Sequence, residues 1–129
     1  MQTFKKEERL TSKKLIDELL KKGSSFVVFP FRLIWLETSL QSSFPSQIVI
    51  TVSKKHFQRA VDRNKIKRQM REAYRKNKEI IYSYLRNKQQ QNAMMLVYIN
   101  KTFCPYKELE DKIILTLQRY REENEKSAK

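Results

Sequence analysis

Arginine and lysine recur between Ser53 and Arg75 at intervals that gather charge on one side of a helix. With Arg63 as origin, Lys67, Arg71, Asn64, Arg75 and Arg68 fall at roughly 40, 80, 100, 120 and 140° on a helical projection. Such a strip attracts phosphate. Each guanidinium offers a planar fork that pairs bidentately with phosphate oxygens and stacks on bases, and each lysine adds a mobile point charge. Asn64 adds an amide that either bonds a base or sugar edge or fixes the backbone at the helix start. From Lys54 to Lys78 there are eleven Lys or Arg, among them Lys55, Arg59 and Lys65, against two acids, Asp62 and Glu72; eleven less two makes +9 of the chain's +14. Charge clustered in this way focuses the field on a polyanion. A helix that only needs solvation mixes signs at i±4; this one is nearly free of acids, so nucleic acid is the implied partner.

The residues that could break bonds are not assembled in the same way. His56 is the one histidine and Cys104 the one cysteine. They supply neither a thiolate–imidazole metal set nor a Cys–His nucleophile, so His56 reads as a contact at the helix entry. Asp17-Glu18 and the group Glu108, Glu110, Asp111 lie beside lysines on helical segments and read as solvated pairs rather than Mg²⁺ ligands. No catalytic side chain and no protein metal site is expected.

The elements that must carry the strip follow from local pattern. Thr11 or Ser12 can cap a helix from Lys13 to Lys22, with Leu15, Ile16, Leu19 and Leu20 on its apolar face and Gly23 suited to a left-handed C′ position. Phe26 to Leu36 reads as a strand with an edge or bulge at Pro30, which lacks a ladder donor. After a loop, Thr38 to Pro45, Ile48 to Val52 is apolar or β-branched on both faces and reads as a buried strand leading into the basic run. The basic helix spans about Arg59 to Asn77, and Ile80 to Asn87 forms a second short helix or its continuation. Ala93 to Ile99 is a further strand, and Pro105 opens a last helix, Tyr106 to about Glu123. The order helix, strands, helix, strand, helix implies an α/β or α+β sandwich, taken here as α+β, with a small central sheet packed by helices and the basic helix in a β-α-β crossover. The 129 residues, 40% of them hydrophobic, suit one domain, with residues from about 124 to 129 polar enough to fray. No apolar run reaches the roughly 20 residues of a membrane span, and no apolar segment follows Met1 to Arg9. A soluble, unexported protein in a reducing compartment is expected.

Taken together, Ser53-Lys54-Lys55, Ala60-Val61, Arg63-Asn64-Lys65-Ile66-Lys67-Arg68 and Arg71-Glu72 resemble the signature of the protein component of bacterial ribonuclease P. Arg9-Leu10, the helix ending at Gly23, and the late strand and final helix extend that resemblance over nearly the whole chain. The resemblance implies a ribosomal-protein-like fold whose β-α-β crossover is left-handed, against the usual preference. It implies a cytoplasmic bacterial protein, one copy joined to one catalytic RNA subunit, without membrane or DNA. It also implies assistance in Mg²⁺-dependent removal of the 5′ leader from precursor tRNA, the metal being held chiefly by RNA and substrate. Carried over to this chain, Lys54, Lys55, Arg63, Asn64, Lys65, Lys67, Arg68 and Arg71 match the RNA-contacting helix and its flank, beside Arg59 and Arg75.

Three departures from the family pattern are visible. Lys65 replaces the second arginine of the signature, keeping charge but losing the fork. Ile16 and Leu20 stand where the family often has Phe, which favours apolar contact over stacking in the leader cleft. His56-Phe57-Gln58-Arg59 is one residue longer than a common glycine-containing entry. Phe29, Phe31 and Trp35 offer an alternative stacking platform or simply core packing. A structural rRNA-binding protein would use the same basic helix, whereas a DNA reader would need a helix-turn-helix or a dimerisation stripe that the chain lacks. The Ser-Lys-Lys entry joined to Arg63-Asn64 favours the ribonucleoprotein enzyme subunit.

Overall fold

A computed structural model describes residues 3–127. A 3-10 turn at Lys6–Glu8 leads into α1 (Lys13–Lys22), β1 (Ser24–Val28), β2 (Phe31–Glu37), β3 (Ser46–Val52), α2 (Ala60–Asn77), α3 (Glu79–Lys88), β4 (Asn92–Tyr98) and α4 (Tyr106–Ser127). The strands form one sheet in the order β1-β2-β4-β3. β1 and β2 are an antiparallel hairpin, β2 pairs antiparallel with β4, and β3 runs parallel to β4, so α2 and α3 lie in the crossover. The expected α+β class and element order hold.

Three local expectations change. Pro30 does not bulge a continuous strand; it sits in the turn that folds the segment into two, and its carbonyl accepts the Ile99 N–H at 2.8 Å. Asn124, expected to fray with the tail, is buried in α4 and its amide donates to Tyr84 Oη at 3.0 Å, so the helix continues to Ser127. The last two residues of the expected tail, Ala128 and Lys129, lie outside the described residues. Ser12 caps α1 by accepting the Leu15 N–H at 3.2 Å, but Gly23 is extended (φ −67°, ψ 150°) rather than left-handed.

Close approach, not handedness, is what requires glycine at position 23. A Cβ there would stand 2.4 Å from the Leu19 carbonyl oxygen and 2.8 Å from Ile34 Cγ2. Because the nearer obstacle is backbone, Gly23→Ala is expected to lower stability by about 1–3 kcal/mol. Urea melts of the two proteins measure this, and an unchanged midpoint would contradict it.

The sheet separates two unequal apolar layers. Phe31, Leu33, Trp35, Ile48, Met94 and Leu96 point into the layer covered by α2, α3 and α4. Ala93 and Met95, with Ile34, Leu36, Val49 and Val97, face the opposite side, where α1 applies Leu19, Leu15 and Ile16. Fully burying each such side chain stabilises the fold by about 1.5–3 kcal/mol, and most of the largest lie in the first layer. Asn92 knits that layer together by accepting from Ser46 Oγ at 2.6 Å and donating to Tyr120 Oη at 2.8 Å. The outer edge of β3 is met by the N-terminal strap: Arg9 bridges to Ile48, and the Leu10 N–H donates to the Ile48 carbonyl at 2.9 Å.

Candidate nucleic-acid interface

α2 buries the stripe expected of it, Ile66, Met70, Ala73 and Tyr74. That anchoring leaves Asn64, Lys65 and Arg68 exposed and Lys67 and Arg71 half-buried. Lys54 and Lys55 stand exposed in the turn after β3, which Ser53 shapes: its Oγ accepts the Lys55 N–H and its carbonyl accepts the Phe57 N–H, each at 3.1 Å. The entry then closes through Arg63, whose Nη1 donates to the carbonyls of Phe57 and Gln58 at 2.7 and 2.8 Å. Arg63 thus fixes the start of the helix with part of its fork.

Two other members of the basic set are already paired. Arg59 donates to both Asp62 oxygens at 2.9 and 3.1 Å, and Arg75 to both Glu72 oxygens at 3.1 and 2.6 Å. These bonds hold both carboxyls below their ordinary values, chiefly through the hydrogen bonds themselves. Both acids of the run therefore answer arginines three residues away, a spacing the i±4 reading passes over.

Lys78 departs further from expectation. It sits at the junction of α2 and α3, is 6% exposed, and turns inward to the buried Glu8 carboxylate and the Thr3 carbonyl. Tyr82 Oη donates to the same Glu8 oxygen at 2.6 Å, and the Lys5 N–H to the other at 2.6 Å. Burial pushes the Glu8 carboxyl up, but the bonds from Lys5, Lys78 and Tyr82 outweigh it and hold the group below its ordinary value. This ion pair fastens the N-terminal strap to the crossover.

Once fastened, the strap brings Arg9 to the basic strip, a member that its place in sequence conceals. A notch of about 220 Å³ lies between them, floored by Leu10, Ile48 and Ile50 and flanked by Arg9, Lys67 and Arg71. A second hollow continues past Phe4 to Arg68. Arg9 rests over the Phe4 ring at 5.3 Å. Partial burial and the like charges of Arg9 and Arg68 lower the affinity of Arg71 for its proton. The cations here repel one another.

The leader-cleft candidates divide by strand parity. Phe31 and Trp35 are 0% and 4% exposed and belong to the helix-covered layer, with Trp35 edge-on to Tyr120 at 5.5 Å. They are core residues, which corrects the stacking alternative. Their neighbours in the opposite phase, Arg32, Ile34 and Leu36, share the α1 face. On that face Ile16 packs against the sheet, while Leu20 is 58% exposed. The row Arg32–Val97–Thr51 lies at the open end. Phe29, also 58% exposed, stands at the hairpin turn. Arg32, in phase with Ile34 and Leu36, is the one signal in the sequence from which this face could have been read as the wetter one.

Among the described residues no helix is long and apolar enough to cross a membrane. A family model described as Ribonuclease P matches residues 4–121. A ribonuclease P protein component of Porphyromonas gingivalis is 39% identical over 84 residues, covering 65% of this chain and 61% of that protein. One of Petrotoga mobilis is 39% identical over 77 residues, covering 60% of this chain and 62% of that protein. The matched stretch therefore spans about three-fifths of these relatives' length. Among solved structures, the RNase P protein from Thermotoga maritima superposes with a TM-score of 0.69 at 23% identity, over 87% of this chain and 96% of that one. A mutant Staphylococcus aureus RNase P protein gives 0.70 at 20% identity, over 88% of each. At those identities the likeness is one of fold.

Proposed function

This chain belongs to the ribonuclease P protein family, and from that premise we propose that it binds a catalytic RNA subunit and assists removal of the 5′ leader from precursor tRNA. The observation that carries the reading is the convergence of Arg9, Lys67, Arg68 and Arg71 on one face with no carboxylate paired to any of them among the described residues. Lys54, Lys55 and Asn64 extend that face toward the entry of α2. Arg63 orders the entry, and Arg59 and Arg75 border the strip with their charge partly answered by Asp62 and Glu72.

Single-stranded leader would lie on the α1 side of the sheet, along Ile16, Ile34, Val97 and Thr51, with Arg32 able to reach a phosphate. Contact there is apolar and electrostatic, since the aromatic residues of β2 face the other way. Magnesium would be carried by the RNA and the substrate. The carboxylates nearest the basic strip, Asp62 and Glu72, are engaged by arginines and present no open ligand set. One copy per RNA in the bacterial cytoplasm completes the proposal.

Phosphate contacts release condensed counterions, so log affinity for the RNA should fall with log salt by about 0.7–0.9 per phosphate neutralised. Four converging cations predict a slope of about −2.8 to −3.6 on that scale. Filter-binding titrations over a salt series read it directly, and a flat response would rule out this face as the interface.

A further inference from the structure

We infer that Phe103 is a stacking platform for an unpaired nucleobase of the RNA docked along α2; the inference rests on the reading of α2 given above. Phe103 lies in segment 99–105, between β4 and α4, and is 48% exposed. One side of its ring is supported by Phe57, with centroids 5.2 Å apart, and Phe57 is itself buried and backed by Tyr98 at 6.1 Å. Tyr98 also donates through its hydroxyl to the Thr102 carbonyl at 2.7 Å, which fixes the backbone next to Phe103. The ring is therefore held in place before any partner arrives.

What surrounds the outward half is suited to a nucleotide. Lys65 Nζ, from the arginine-rich signature, lies 5.3 Å from the Phe103 centroid. Val61, one helical turn before Lys65, is 65% exposed. Two exposed apolar side chains thus neighbour a cation on the side of α2 that is otherwise largely polar or charged. A lysine on a flexible stem can leave the ring for a phosphate, freeing an aromatic surface for the attached base, and aromatic stacking tolerates any base because every base has a π face. Shielding Phe57 accounts for the inner contact of Phe103 but requires only bulk. The exposed ring beside Lys65 calls for an aromatic.

The test uses the full chain in fluorescence anisotropy titrations with a labelled short oligoadenylate and with an abasic strand of equal length. Phe103→Leu, which keeps bulk over Phe57, and Phe103→Ala should each weaken oligoadenylate binding about 5-fold or more, the scale of one lost base–aromatic stack. Abasic binding should be unchanged, and Phe103→Trp should retain wild-type affinity for both. Wild-type affinity for oligoadenylate in Phe103→Leu, or an equal loss on both strands, would overturn the inference. Arg68→Ala is a separate arm: it should weaken both strands alike, and no loss there would overturn the docking reading of α2 whatever the Phe103 variants show.

Discussion

Replacing Lys78 with methionine is expected to destabilise the fold by about 3–5 kcal/mol at neutral pH, the cost of leaving one charge of a buried pair without its partner. Lys78 is the only cation among the described residues paired to Glu8, whose side chain is fully enclosed. Methionine keeps roughly the length of the stem but removes the ammonium that meets Glu8, the Thr3 carbonyl and the Tyr82 ring together. Glu8→Gln added to Lys78→Met should restore part of the stability, because the uncharged amide can accept the Lys5 N–H through its oxygen while its NH2 donates to the Tyr82 hydroxyl.

The pH dependence has a definite sign. In the wild type the Glu8 carboxyl is held below its ordinary 4.5, so its contribution is present above that value and is lost as pH falls through the lower folded-state value. In Lys78→Met, burial acts on Glu8 without the lysine to oppose it, and a protonated Glu8 is no longer an unpaired charge. The gap between the two proteins should therefore narrow in mild acid. Urea melts at neutral and mildly acid pH measure it, and a gap that widens in acid would contradict the assigned pair.

The second large effect has opposite signs in two measurements. Arg71→Ala is expected to weaken RNA binding by about 1.5–3 kcal/mol, the range for a hydrogen bond to a charged group, or roughly 10- to 150-fold. The salt slope should shrink by about one contact. Free-protein stability should stay level or rise, since Arg9, Arg68 and Arg71 repel one another without an anion. Arg68→Ala should behave similarly. Lys126→Ala, which removes an exposed cation paired with Glu123 on α4, should leave binding within about twofold, as for a surface pair. Equal losses at Arg71 and Lys126 would sink the helix-face account.

How far the sequence revealed these features depended on whether each was local. The periodicity of Ile66, Met70, Ala73 and Tyr74 revealed the buried side of α2, and with it the charged side. In β2, alternation showed that Phe31 and Trp35 share a face but did not say which layer that face enters. Three helices cover one side of the sheet and one helix the other, a fact set by chain topology. Lys78 shows the same limit from another direction. By count it belongs to the basic run from Lys54 to Lys78, yet just past the end of α2 at Asn77 the lysine turns to a glutamate 70 residues away. Arg9 is the reverse case, distant along the chain and brought to the strip by a strap that this same ion pair fastens.

The most direct measurement of the central claim adds the purified protein to its matching catalytic RNA at limiting magnesium and follows release of the 5′ leader from precursor tRNA. The account predicts that the wild-type chain raises the rate above RNA alone and that Arg68→Ala and Arg71→Ala need more protein to reach the same rate. A rate identical with and without the wild-type protein, under conditions where the RNA alone is active, would contradict it.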